Sequence, residues 1–389
     1  MRNTPQQNAV QIMLDFADLT GLGASSQPPG RYLWTDAFAV CNYLSLFRVA
    51  KDRSWLDLAL QLVDQVHCIL GRHRADDMRS GWISGLSDEE GRLHPTRGGL
   101  RIGKGMNERS PAEPFDEHRE WDRDGQYFHY LTKWMHALRC VGSVTGERIY
   151  TEWALELAKT AHARFSYAPA WGGPKRLFWK MSIDLSRPLV PSMGQHDPLD
   201  GLVTYSELQA AMGGFERLAS SDLQTEITDM SGICRGMEWV TDDPLGIGGL
   251  LFETSRIAQL IMRGVFSDVK LLGEVLEAGL RGLESISVSR RLEEPPGYRL
   301  PFRELGLSIG LKAASRLSEW ALMHPELFGQ RNLFTGHAEA LASYLPLAEK
   351  IESFWLDEGN RTVANWSEHR GINMVMLATS LAPGEFMTV

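Results

Sequence analysis

In the stretch Trp121-Asp122-Arg123-Asp124-Gly125-Gln126-Tyr127-Phe128-His129-Tyr130-Leu131, two carboxylates two residues apart stand directly ahead of a long apolar helical pattern. One acid at such a junction is what a helix cap requires. A second exceeds that need. Asp122 therefore reads as the cap, and Asp124 is left as a candidate general acid/base. Acidic helix starts recur at Thr35-Asp36, His196-Asp197-Pro198-Leu199-Asp200, Arg303-Glu304 and Ser367-Glu368-His369-Arg370, and Glu253 lies about two turns into a helix that begins near Gly246. Asp36 and Asp197 also suit plain capping, and Pro198 fits the first turn after Asp197. His196 and Asp200 are four apart and share a helix face, as a structural hydrogen bond or as an acid/base pair. Glu253 sits in an apolar run and needs a partner; Arg256 at i+3 can supply it. His369 and Arg370 read as recognition groups for a carboxylate or a sugar hydroxyl, or as surface residues. Trp34, Trp82, Trp121 and Tyr127 stand beside these positions and offer flat faces to a sugar ring, though packing uses the same faces.

The elements that must position these groups are helices. Apolar, small-residue helices are expected at Ala37–Ala50, Gln126–Val144, Leu199–Met212, Gly246–Met262, Glu304–Ala314 and Gly371–Leu381. Amphipathic ones alternate with them, among them Pro5–Leu22, the helix starting at Asp52, Gly146–Phe165, Leu218–Trp239, Asp268–Ile286 and Phe334–Trp355, and the helical pattern that includes Glu304–Ala314 extends over Arg303–Met323. A helix apolar on all sides is buried on all sides. Six of each kind describe an all-α (α/α)6 barrel, an inner ring wrapped by an outer one, as a single domain over residues 1–389. In such a ring the inner helices run parallel, so their N-termini, with spare N–H groups and partial positive charge, meet at one end. Residues 72–121, rich in Gly, Pro, Trp and His, read as an ordered loop of the kind that walls an active site. Residues 170–192 read as a β-hairpin insertion.

Composition narrows the class. Hydrophobic residues make up 43% and charged residues 23% of the 389, as in ordinary globular proteins. A net charge of −9 with no basic block argues against nucleic acid and against anionic membranes. No apolar run reaches membrane-spanning length and no signal peptide opens the chain, so a cytoplasmic protein is expected. Cys41, Cys68, Cys140 and Cys234 fit no zinc spacing and read as free thiols; His94 and His118 lack a metal-binding partner. No metal and no cofactor is therefore expected. GxSxG, P-loop and dinucleotide-binding patterns are absent from the sequence.

Arg31-Tyr-Leu-Trp-Thr-Asp36-Ala at one inner-helix start, Gly81-Trp82 in the loop, and Trp121-Asp-Arg-Asp-Gly-Gln-Tyr-Phe-His-Tyr-Leu at the next start resemble the six-hairpin glycosidase superfamily. That superfamily includes unsaturated glucuronyl hydrolases and N-acylglucosamine 2-epimerases. The resemblance implies an (α/α)6 barrel with a carbohydrate site at the inner-helix N-termini, and in the hydrolases an Asp placed like Asp36 or Asp124 as acid/base. The resulting expectation is a glycoside hydrolase in which Asp124 acts with Asp36 or Asp200 on a small or oligomeric saccharide. Substrate-binding residues would be Trp34, Trp82, Trp121, Tyr127, His196, Glu253, Arg303, Glu304, His369 and Arg370. The alternatives are a sugar epimerase or isomerase that uses His196 and His369 as proton carriers, a toroid that binds without chemistry, and more remotely a terpenoid-cyclase-like toroid built on Asp122/Asp124 or Asp242-Asp243. A homo-oligomer is compatible with all of them.

Overall fold

The computed structural model describes residues 4–170, 172–212, 222–328 and 331–389. It divides into two compact units, residues 17–237 and residues 1–16 with 238–389. A first helix, α1 (Pro5–Leu19), runs across that boundary in sequence.

Residues 17–237 form three helical hairpins. They are α2 (Leu33–Ala50) with α3 (Arg53–Leu70), then, after a loop carrying the short helices α4 (Asp88–Leu93) and α5 (Glu117–Asp122), α6 (Phe128–Thr145) with α7 (Arg148–Phe165), and finally α8 (Asp197–Ala211) with α9 (Gln224–Cys234). The expected helix from Leu218 begins among residues outside the described ones. In α2 every residue from Leu33 to Leu46 is buried, which only a helix surrounded by others allows. α6 lies against α2 on one side and α8 on the other, and α3, α7 and α9 back them. α3 shows why: Trp55, Leu56, Ala59, Leu62, Val63, Val66 and Leu70 form its one buried stripe. Asp52 caps it, its carboxylate accepting the Ser54 N–H at 3.0 Å.

Several expected helix starts move. α2 begins at Leu33 rather than Ala37, so Asp36 lies in its first turn instead of capping it. α6 begins at Phe128, because Gln126–Tyr127 is a strand, β1; Asp122 therefore ends α5 and caps nothing in α6. The remaining strands are β2 (Ser166–Tyr167), β3 (Arg176–Leu177), β4 (Lys180–Met181) and β5 (Pro188–Val190). The expected hairpin is β4–β5, and β1 joins it in a sheet of order β1-β4-β5.

The second unit repeats the alternation with α10 (Pro244–Met262), α11 (Val269–Ser289), α12 (Pro301–Ala314), α13 (Leu317–Met323), α14 (Arg331–Ala342), α15 (Pro346–Leu356), α16 (Ala364–Ser367) and α17 (Arg370–Leu381). α12 packs between α10 and α17, with α11 behind α10 and α15 behind α12. Two expected helices are split: Arg303–Met323 breaks after Ala314, and Phe334–Trp355 breaks before Pro346, which lacks the N–H a continuing helix needs. α10 and α12 approach unusually closely. A Cβ at Gly310 would lie 2.2 Å from the Gly248 carbonyl oxygen, and one at Gly248 would lie 2.1 Å from that of Gly306. The chain is thus all-α apart from short sheets, and its alternation of all-round buried and one-sided helices is the element pattern of the (α/α)6 class.

Candidate active site

Asp124 is fully buried, and its carboxylate has four partners. Oδ2 accepts from Arg101 at 2.5 Å and from Arg74 at 3.4 Å. Oδ1 accepts the Gly103 and Gly125 backbone N–H groups, each at 3.0 Å. Such a carboxylate is an anchor: it ties the 72–121 loop to the segment ahead of α6. Arg101 reaches on to the Ile69 and Arg72 carbonyls, and Gln126 holds the Leu100 N–H at 2.8 Å. Gly103 makes this closeness possible, with a φ of 93° and a hypothetical Cβ 2.2 Å from the Arg31 carbonyl oxygen. Further bonds of this kind tie the loop, including Arg79 to Asp77, Glu108 and Asp184.

The starts of α2, α6 and α8 meet in an aromatic cluster. Tyr32 and Tyr130 share a hydroxyl–hydroxyl hydrogen bond of 2.7 Å. The Trp34 ring lies 5.3 Å from Tyr130 and 5.8 Å from His129, and Tyr127 stacks on His129 at 5.4 Å. Trp121, 40% exposed, stacks outside Tyr127 at 6.4 Å. Lys180, fully buried, holds the Glu120 and Arg123 carbonyls at 2.6 and 2.8 Å and stands over the Tyr127 ring, so β4 fixes that face. Four buried polar atoms here have no hydrogen-bond partner: Trp34 Nε1, the Tyr127 hydroxyl, His129 Nδ1 and Asp197 Oδ2. Buried polar atoms are nearly always satisfied, so four gathered in one cluster offer hydrogen bonds to a ligand or to water.

Asp197 and His129 face each other, Nδ1 to Oδ1, at 3.6 Å. Burial, reinforced by the nearby Asp200 charge, pushes the Asp197 carboxyl up to about 8, against the pull of Lys133. Burial pushes His129 down to about 4, so the imidazole is neutral. Near neutrality, then, Asp197 carries a proton and His129 does not. Asp200 is engaged by Lys133 at 2.8 Å and by the Thr132 hydroxyl at 2.6 Å. Asp36 accepts the Tyr32 N–H at 2.9 Å and stands 3.5 Å from Arg31; burial still pushes it up to about 6. Burial keeps Tyr127 and Tyr130 as phenols by raising both.

Of the residues singled out in the sequence, Trp34, Trp121, Tyr127, Asp200 and Asp36 lie at or beside this cluster. Trp82 does not. It stacks under Arg72 at 4.5 Å and, with His67, Cys68 and Trp153, lines a separate cavity of about 790 Å³ between α3, α7 and the loop. His196 sits at the N-cap of α8. Glu253, Arg303, Glu304, His369 and Arg370 belong to the second unit. There Glu253 pairs with Arg256 at 2.9 Å, as its spacing suggested. Glu304 is closed by Arg299 and the Trp355 indole, each within 2.9 Å, and Arg303 meets Asp243 at 2.6 Å beside a cavity of about 510 Å³. His369 and Arg370 are exposed at the start of α17. Sequence reasoning passed over Tyr32, His129, Tyr130 and Lys133, and took Asp197 for a cap. The i, i+3 spacing of Tyr127 and Tyr130 at a helix start was the available signal. Among the described residues, the His/Cys/carboxylate grouping with metal-ligand proximity is Cys41, His136 and Cys140.

No family model matches the sequence, and no curated protein matches it. Solved structures with a similar chain path include a sugar epimerase from a ruminal bacterium, at 12% identity and a TM-score of 0.46 over 88% of this chain and 85% of that one. An alpha-1,6-mannanase from Salegentibacter sp. is 9% identical, with a TM-score of 0.48 over 97% and 99%. An alpha-mannanase from Bacteroides thetaiotaomicron is 13% identical, with a TM-score of 0.47 over 91% and 98%. At identities this low, the chemistry has to be read from the side chains themselves.

Proposed function

We propose that the protein is a carbohydrate-active enzyme whose proton donor is Asp197. The observation that carries this is the cluster of four unpartnered buried polar atoms among the faces of Trp34, Tyr127, Tyr130 and His129. Stacked aromatic faces bearing spare donors and acceptors suit a ring whose faces are apolar and whose rim is hydroxylated. A protonated carboxyl among them suits attack on an acetal. In glycoside hydrolysis the Asp197 proton goes to the glycosidic oxygen as the bond to the anomeric carbon breaks. Water then adds to that carbon, and its proton restores the acid. Asp200 acts at one remove, its charge helping to keep Asp197 protonated. Asp124, first taken as the acid/base, is assigned to positioning, because every oxygen it has is engaged. Asp36 remains the candidate for a second carboxylate.

The 3.6 Å approach of His129 to Asp197 favours one second reading. A neutral imidazole beside a protonated carboxyl can take a proton from a sugar carbon next to a carbonyl while the acid returns one, which is epimerisation. His129 then replaces the expected pair His196 and His369. None of the four cysteines is in a disulfide, Cys68 at the surface among them, and on that ground we place the protein in a reducing compartment such as the cytoplasm.

Chromatography and NMR of a panel of mono- and disaccharides incubated with the protein separate the readings. Hydrolysis releases a leaving group, and epimerisation conserves mass. Asp197→Asn should lower turnover about 10²- to 10⁴-fold in either case. Full activity in that variant would sink the assignment.

A further inference from the structure

About two turns below His129 on the same helix, a second cluster lies in the interior of residues 17–237, and the proposed carbohydrate chemistry does not use it. Cys41 of α2 meets His136 and Cys140 of α6, with one ligand atom from each all within 4.8 Å of one another. All three side chains are at most 1% exposed. Cys140 Sγ lies 3.7 Å from His136 Nε2. Around a tetrahedral zinc ion, with bonds of about 2.3 Å to sulfur and about 2.0–2.1 Å to nitrogen, the sulfur–nitrogen edge is about 3.6 Å. The His136–Cys140 edge therefore already has the length the ion requires, and the Cys41 sulfur lies within 4.8 Å of both donors.

The surroundings match as well. His136 turns its other nitrogen, Nδ1, to both oxygens of Glu207 at 3.0 and 3.1 Å, and Arg139 holds that carboxylate at 2.5 Å. A carboxylate behind the distal nitrogen fixes the tautomer that presents Nε2, and it is the usual outer partner of a metal-bound imidazole.

We propose that Cys41, His136 and Cys140 form a zinc site, with Glu207 orienting the imidazole and a water or other small donor completing the coordination. Binding exchanges two protons of the Cys41–His136–Cys140 cluster for the dication, so the charge of this buried cluster is unchanged. The ion would fasten α2 to α6 beneath the aromatic cluster. His136 and Cys140 stand four apart on one helix, and Cys41 comes from ninety-five residues earlier, which is why no linear zinc spacing announces the site.

Metal analysis and thermal melting of the full chain test this. The untagged protein is refolded under reducing conditions with zinc and then freed of excess metal. One zinc per chain and a melting temperature raised over the metal-free protein are expected. Cys140→Ser and Cys41→Ser should each bind at least about 100-fold more weakly, whereas Cys234→Ser, which removes a buried thiol outside the cluster, should bind normally. Glu207→Gln should weaken binding about 10- to 100-fold. Should the serine variants fail to fold, cobalt added to the wild-type protein still decides the matter, through thiolate-to-cobalt charge-transfer absorption. Absence of that band, zinc retained equally by Cys140→Ser, or a Cys41–Cys140 disulfide in the native peptide map would each overturn the proposal.

Discussion

Asp124 and Asp197 are both buried aspartates near inner-helix starts, and their neutral variants should behave in opposite ways. Asp124→Asn leaves Arg101 buried without its counter-charge. Breaking such a pair costs about 3–5 kcal/mol, so a clear drop in melting temperature is expected even before activity is assayed. Asp197→Asn replaces a carboxyl that must take up a proton on folding at pH 7 with a neutral amide of the same shape, and its melting temperature at that pH should equal or exceed that of wild type. A third variant, Tyr127→Phe, removes one orphaned hydroxyl. It should raise KM for a saccharide by the value of one neutral hydrogen bond, about 0.5–1.5 kcal/mol, with little change in stability. In the sequence, the two carboxylates of Asp122-Arg-Asp124 drew attention because they exceed the needs of a cap. That surplus was real, but its use depends on Arg101 and Gly103, more than twenty residues away, and nothing local reports them. Asp197 looked ordinary because its distinguishing feature, an oxygen with no partner, exists only once three helix starts have met.

Helical periodicity located the buried helices α2, α6, α8, α10, α12 and α17, since burial on all sides leaves a compositional mark that needs no alignment. Their first turns were less legible. Tyr32 and Tyr127 are N-caps without side-chain capping bonds, so the usual Ser/Thr/Asp signature is missing at the starts that build the site. Gln126–Tyr127 reads as helix but pairs with Lys180–Met181, a partner more than fifty residues away. At this scale the α10–α12 contact gives a sharp prediction. Gly310→Ala would put a methyl group 2.2 Å from a carbonyl oxygen. The helices must separate, and a loss of at least about 1–3 kcal/mol is expected in chemical denaturation, whereas Gly273→Ala, with open space around it, should be neutral or stabilising.

For the molecule as a whole, stability should depend on pH from both sides. Asp197 at about 8 and Asp36 at about 6 bind their protons more tightly folded than unfolded. Their contribution is complete below about pH 4 and is lost as pH rises through those values. Asp184, held down to about 2 because its Ser182, Ser186 and Arg79 contacts outweigh burial, acts in the opposite sense. Its contribution is present above about pH 4 and lost as pH falls toward 2. Melting temperatures should therefore fall on the alkaline side well before lysines titrate, and Asp197→Asn should flatten that limb; an unchanged limb would contradict the assigned proton. No described helix is long and apolar enough to cross a membrane.

The anchoring of the long loop through Asp124 has a consequence for motion. Amides that hydrogen-bond to a buried carboxylate, or across to the Gly125 and Leu70 carbonyls, can exchange their hydrogens with solvent only when that anchor opens. Deuterium should thus enter residues 101–103 as slowly as it enters α2 and α6, while residues 107–116, nearer the surface, exchange early. The inner part of the loop should then stay as still as the helices it touches.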